Sequence, residues 1–430
     1  MPERIIHKLP NGITLVYEHL PYLHSFNIGA FFKNGSLHEP HHLNGITHCI
    51  EHLLFKRTKK HTNKELLYII EGMGGDFDAF TEHEGMTLTL RILKEYWKDA
   101  IEVLFEILQE SVFDEDDIRA EKNVIYEEIA MYKDTPQDYI YEMYFSHTWP
   151  GQSHGRPILG THESLKTFDH AVLSEYYASS FTPENLIISV AGDVPVELVK
   201  SEIARFTFTT TGEPVVTPIP TRHYGLFFER NKELQQEHVL LAFPCTTIYD
   251  DDRFAVYVLN ALFGATDFSI LNQEIRENRG VAYTVYSDTL LFSTTGSMVV
   301  YAAYSQLKSD RFWEGITDSI LRLESHITES LVEVAKRYVS ARILFSLDAV
   351  HNIMEKNGSN MRRYNSLPDY NQLIARIHSV TIDDITRVLH KTILSGSMSL
   401  VYYGTMKQKE AQEIWNIFQS KYSEMITGKK

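Results

Sequence analysis

The chain opens with three short apolar stretches, residues 5–9, 13–17 and 25–32, that read as strands. The Asn11-Gly12 turn and a connection containing Pro21 separate them. The spacing of apolar positions then changes to three and four over 45–55, 63–72, 95–110 and 116–131, which predicts amphipathic helices. Asp114 and Asp116 are placed to cap the last of these, and 87–93 alternates as a strand between helices.

This order recurs. Residues 88–108, read as strand, loop and helix, have a counterpart in 299–323, where VVYAAYSQL gives way to DRFWEGITDSILRL. The helix holding Glu121 is answered by one over 331–347, and the strand LIISVAGDV at 186–194 by MSLVYYGTM at 398–406. A period near 210 residues is far longer than a solenoid repeat and implies an internal duplication. The run TTTGEPVVTPIPTRHY at 209–224 interrupts every periodic pattern. The expected organisation is therefore a first domain over 1–210, a linker over 211–224 and a homologous second domain over 225–430.

Length and composition agree with this. A chain of 430 residues suits two domains of roughly 200 residues. With 43% hydrophobic and 23% charged residues it has the balance of a soluble globular protein, and no segment approaches a membrane span of about 20 apolar residues. The 41 basic against 57 acidic residues leave a formal charge of −16, which argues against nucleic acid and anionic membranes as partners. Cys49 and Cys245 form no pairing pattern, so a reducing compartment is expected. The opening MPERIIHKLPNG lacks the basic and apolar regions of an export signal.

The chemistry concentrates in His48-Cys-Ile-Glu51-His52. On a helix, His48 and His52 lie one turn apart on one face and both imidazoles can reach a common ion, while Glu51 flanks that face as a carboxylate able to accept a proton from water. Two histidines on a half-buried helix can also be ordinary core or surface residues. A catalytic zinc takes three protein ligands, so an acidic partner is required from elsewhere. Glu121 and Glu128, seven apart, project from nearly the same helical face beside Val124 and Ile125, whereas Glu127 points away. A solvated acidic helix is the plainer alternative, and spacing makes Glu128 over Glu127 a preference only.

At this point the sequence resembles the inverted-zincin peptidases of the pitrilysin, insulin-degrading enzyme and mitochondrial processing peptidase group, with a size that suits the processing-peptidase branch. The segment FKNGSLHEPHHLNGITHCIEHLLFK at 32–56 is similar to the family's Gly-Ser, Glu, Gly and H-x-x-E-H run. EKNVIYEEI is similar to its downstream glutamate motif. GGDFDAFTEHEGMTLTL at 74–90 resembles the substrate-aligning edge strand, with Asp78 where asparagine is usual, and GRPILGT at 155–161 is a further family stretch. In the second half, FGATDFSILNQEIRENRGVAYTVYS resembles a glycine-containing segment followed by an arginine and a tyrosine, here Arg276 and Tyr283.

The resemblance implies an α/β (α+β) protein of two homologous domains, each an antiparallel sheet packed by helices. It implies one zinc ion per chain on His48, His52 and Glu128, with Glu51 as base and Glu121 as a supporting carboxylate. Ala79, Phe80 and Thr81 would align a peptide substrate, and Arg276 and Tyr283 would contact it. The expected activity is zinc-dependent endopeptidase cleavage of peptides or unfolded segments. A non-catalytic or substrate-gripping subunit of a heterodimer is the rival. A homodimer is the expected assembly, with a heterodimer of related chains as the alternative. A bacterial cytoplasm is the expected setting, against which stands a mature organelle matrix protein.

Overall fold

The computed structural model describes residues 4–208, 211–212 and 214–427. The chain divides into two compact units, each built on one sheet. In the first, β1 (Arg4–Lys8), β2 (Thr14–His19), β3 (Ser25–Phe32), β4 (Asp76–Glu82), β5 (Gly85–Leu93) and β6 (Leu186–Gly192) lie in the order β1-β2-β6-β3-β5-β4. In the second, β7 (Gly225–Arg230), β8 (Glu237–Cys245), β9 (Ala282–Leu291), β10 (Gly296–Tyr304) and β11 (Ser399–Gly404) lie in the order β7-β11-β8-β10-β9. Setting β2, β6, β3, β5 and β4 against β7, β11, β8, β10 and β9 gives the same order. The sense of every pairing also matches, since β2/β6 and β7/β11 are parallel and all other pairs antiparallel. The duplication expected from sequence is thus realised in topology, with one parallel pair inside each otherwise antiparallel sheet.

Five helices of the first half are α1 (Ile46–Leu54), α2 (Asn63–Gly72), α3 (Trp97–Glu110), α4 (Glu115–Asp134) and α5 (Pro136–Thr148). α3 starts two residues later than its apolar period suggests, because Lys94–Tyr96 is a 3₁₀ turn. Only Asp114 caps α4: its Oδ1 accepts from the Asp116 N–H at 2.9 Å, and Asp116 lies inside the first turn.

Period-two alternation gives each sheet two apolar faces. In β2, Leu15 and Tyr17 join the core formed with α1 and α3, while Val16 turns to the other side. That second face is covered by the helix Val350–Tyr364, whose Met354 and Met361 pack on Val16, Phe31 and Ile187. A Cβ on Gly358 would collide with the Phe31 ring, so the helix comes as close as a glycine allows. Two buried polar contacts set its register: Asn357 Nδ2 donates to Glu18 Oε2 at 2.7 Å, and Ser189 Oγ donates to the Met354 carbonyl at 2.7 Å.

The second sheet is covered in the same way by α5, with Ile140, Met143 and Tyr144 against Leu240, Val299 and Val401. Each half of the chain therefore lends one helix to the unit built by the other. The units are the described residues of Met1–Met131, Arg156–Pro218 and Phe345–Leu367 on one side, and Tyr132–Gly155, Ile219–Leu344 and Pro368–Lys430 on the other.

Of the expected joint at 209–224, Thr209, Thr210 and Glu213 lie outside the described residues, and 214–224 carries neither helix nor strand. Residues 1–3 and 428–430, the outer ends of the two expected domains, are also outside the described residues. Among the described residues no helix is long and apolar enough to cross a membrane.

Candidate metal centre

Helix α1 carries the H-x-x-E-H run, and its N-terminus is built by residues without any periodic signal. Gly45 enters the helix at φ 87°, and a Cβ there would lie 2.5 Å from the Gly160 Cα. The left-handed backbone and the close approach both require glycine. The buried Glu39 carboxylate accepts from the Gly45 N–H at 2.8 Å and from the Thr47 N–H at 2.9 Å, supplying the cap the helix otherwise lacks. Asn44 Nδ2 donates to the Pro157 carbonyl at 2.9 Å, and Arg156 Nη2 donates to the Glu39 carbonyl at 2.8 Å. The GRPILGT stretch thus frames the start of the metal helix.

Ile46, Cys49, Ile50, Leu53 and Leu54 bury one side of α1, which leaves His48 and His52 side by side with ring centroids 4.6 Å apart. On α4, buried Ile118 and Ile125 turn Glu121 and Glu128 toward these rings, while Glu127 is exposed. Glu128 Oε2 lies 3.5 Å from His48 Nε2 and 3.6 Å from His52 Nε2. Two ligands about 2.1 Å from a tetrahedral ion lie roughly 3.4 Å apart, so Glu128 stands from each histidine at the spacing zinc demands. They are the group of metal-capable side chains found among the described residues.

Around them sits a supporting shell. Glu121 is buried, and its Oε2 accepts from His52 Nδ1 at 3.0 Å while Oε1 takes Lys56 Nζ at 2.7 Å. This keeps the proton on Nδ1 and leaves Nε2 as the nitrogen that could release its proton to a metal. Lys56 extends the spacing of four from His48 through His52, a signal that sequence reading passed over. Glu39 had no periodic signal and was visible only as the glutamate of the family-like run at 32–56.

Protonation follows from these contacts. Burial pushes His48 down to about 4, so its imidazole is neutral. Burial also acts to depress His52, but hydrogen bonds to Glu121 and Glu128 outweigh it and lift the group to about 9. Its hydrogen bond with His52 holds Glu128 below the usual carboxylate range. Two carboxylates facing two imidazoles make a site that favours a cation.

Glu51 is half-buried, and burial raises its carboxyl above the ordinary value against the pull of a hydrogen bond from Thr81. Thr81, Phe80 and Ala79 lie on β4, the edge strand of the first sheet. Phe77 of this strand stacks on Phe55, just past the end of α1, with ring centroids 4.2 Å apart. The Ala79 N–H is taken by Asp78 Oδ1 at 2.9 Å.

Arg276 and Tyr283 belong to the second unit. Arg276 lies on a π-helical stretch, Asn272–Asn278, which gives way at Gly280, φ 58°, to β9. The Arg276 guanidinium stands 5.7 Å from the centre of the Tyr283 ring, and Tyr283 is 81% exposed. The two are therefore neighbours.

Residues 14–162 match the family described as Insulinase (Peptidase family M16), and residues 167–339 match the Peptidase M16 inactive domain. The chain belongs to the M16 peptidase family. His48, Glu51, His52, Glu121 and Glu128 fall in the first M16 match, Arg276 and Tyr283 in the second. Among similar M16 relatives, the uncharacterized zinc protease YmxG of Bacillus subtilis is 30% identical over 87% of this chain and 92% of its own. The uncharacterized zinc protease SCO5738 of Streptomyces coelicolor is 31% identical over 94% of this chain and 90% of its own. A protease structure from Helicobacter pylori shares the fold, with TM-score 0.86 at 19% identity over 94% of this chain and 100% of that one.

Proposed function

We propose that this M16 chain is a zinc metalloendopeptidase that binds one zinc ion on His48, His52 and Glu128 and uses Glu51 as general base. The observation that carries this is the placement of three metal-capable donors within 4.8 Å of one another, with a partly desolvated carboxylate on the helix of the two histidines. Zinc, when bound, supplies a Lewis acid that polarises the scissile carbonyl and acidifies water. Glu51 accepts the proton of the attacking water and delivers it to the leaving amine. Glu121 holds the His52 ring, and Lys56 holds Glu121.

The substrate joins the open edge of β4. Because the Asp78 side chain, not β5, takes the Ala79 N–H, alternation along the antiparallel pair leaves the main-chain groups of Phe77, Ala79 and Thr81 facing away from β5. A peptide pairing there gains affinity from backbone hydrogen bonds with little sequence preference.

The test is zinc analysis with a peptide-cleavage assay on Glu51→Gln. That variant should keep its zinc while hydrolysis falls roughly 10²- to 10⁴-fold. Retained hydrolysis removes Glu51 as base, and lost zinc makes it a ligand. His48→Ala and His52→Ala should each lose the metal, and Glu128→Gln should weaken zinc binding more than Glu127→Gln.

A further inference from the structure

The geometry points to Thr81 as the positioning residue for the base: its side chain holds Glu51 while its main chain receives the substrate strand. The inference rests on the reading of Glu51 as general base. Thr81 Oγ1 donates to Glu51 Oε2 at 2.5 Å. With Oε2 engaged, the plane of the carboxylate is set and Oε1 is left for proton transfer. A glutamate side chain free to rotate would have to lose that freedom on reaching the same pose.

Two independent features place Thr81 for both tasks. Side chains two apart share a face of a strand, so Thr81 points the same way as Phe77, which stacks on Phe55 at the end of α1. The face that meets the metal helix is thereby identified. The main chain of Thr81 is in phase with Ala79, whose N–H faces the open edge and is met there only by the Asp78 carboxylate. A peptide strand pairing at that edge steadies the backbone of the residue whose hydroxyl steadies the base. Threonine suits this better than serine, because branching at Cβ restricts χ1 and keeps the hydroxyl aimed.

The experiment compares Thr81→Val, Thr81→Ser and Thr81→Ala on the full chain, with zinc content, kcat, KM and peptide binding as readouts. Valine keeps the branched shape and removes only the donor. Thr81→Val should lower kcat about 10- to 100-fold, the effect of losing one hydrogen bond to a charged group. KM and zinc content should stay within about twofold of wild type, and Thr81→Ser should recover most of the rate. Thr81→Ala serves as the second deletion of the hydroxyl should valine disturb the strand. In a Glu51→Gln background, Thr81→Val should leave peptide affinity unchanged and lower residual turnover no further. An unchanged kcat in Thr81→Val and Thr81→Ala, or a rise in KM alone, overturns the role while leaving Glu51 as base. Full turnover by Glu51→Gln overturns the base and this role with it.

Discussion

Glu121 and His52 are joined by a 3.0 Å hydrogen bond from Nδ1 to Oε2, in a carboxylate whose other oxygen is occupied by Lys56. In the proposed centre this carboxylate is not a ligand, yet it decides which nitrogen of His52 is available. Glu121→Gln keeps the shape and weakens the acceptor, so zinc affinity measured by chelator competition should fall about 10- to 100-fold with the fold intact. Lys56→Met should act in the same direction, because it leaves a buried charge with one partner fewer. If neither substitution changes zinc affinity, the shell around His52 is only packing.

Asn357 Nδ2 donates to the buried Glu18 carboxylate and helps hold the helix Val350–Tyr364 on the first sheet. Burial raises the Glu18 carboxyl above its ordinary value, and the Asn357 amide pulls it back. Asn357→Ala should cost about 1–3 kcal/mol in a urea titration, the cost of leaving a buried polar group unsatisfied. Replacing both residues with leucine should cost less, since no polar group is then stranded. A harmless Asn357→Ala would mean that Glu18 finds another partner.

Exchange of helices was the part of the fold that sequence did not disclose. Periodicity is a local property: β3 and α2 coincide with the stretches predicted for them, 25–32 and 63–72. The His48–His52 pair was legible for the same reason, as one turn of a helix brings those residues together whatever the tertiary fold. Which sheet receives α5 or Val350–Tyr364 depends on contacts hundreds of residues apart, and neither segment's pattern names its partner. The capping role of Glu39 was illegible because it acts from an irregular loop. The Thr81 hydroxyl was illegible because thirty positions separate it from Glu51.

Arg276 and Tyr283 form a cation–π pair on the second unit, with the tyrosine ring almost wholly in solvent. Such exposure gains little for stability, which favours a role in contacting substrate. A guanidinium and a phenol are suitable donors to a peptide carbonyl oxygen. Tyr283→Phe and Arg276→Ala should lower turnover with zinc content unchanged. If the enzyme works as a homodimer that shares these residues, mixing a His48→Ala chain with a Tyr283→Phe chain should restore activity. Full activity of both single variants would remove the pair from catalysis.

His38 gives the stability of the first unit a definite dependence on pH. Burial pushes it down to about 4, and its Nδ1 accepts the Gly35 N–H at 3.0 Å. Its Nε2 meets Thr217 Oγ1 at 3.1 Å, so the neutral ring bridges two segments of the unit. In the unfolded chain the same imidazole titrates near its ordinary value of about 6.5. Between those two values the unfolded state binds more protons, so stability rises with pH across the window and is lost as pH falls from about 6.5 through about 4. From pH 7 to pH 5 this one group accounts for a loss on the order of 2 kcal/mol. His48 and His83, also pushed down to about 4 by burial, add to it in the same direction. His38→Asn offers an oxygen to the Gly35 N–H without a titrating ring. The fall in urea midpoint between pH 7 and pH 5, measured on metal-free protein, should therefore be shallower in this variant than in the wild type. An equal fall in both would show that His38 takes up its proton in the folded protein as readily as in the unfolded chain.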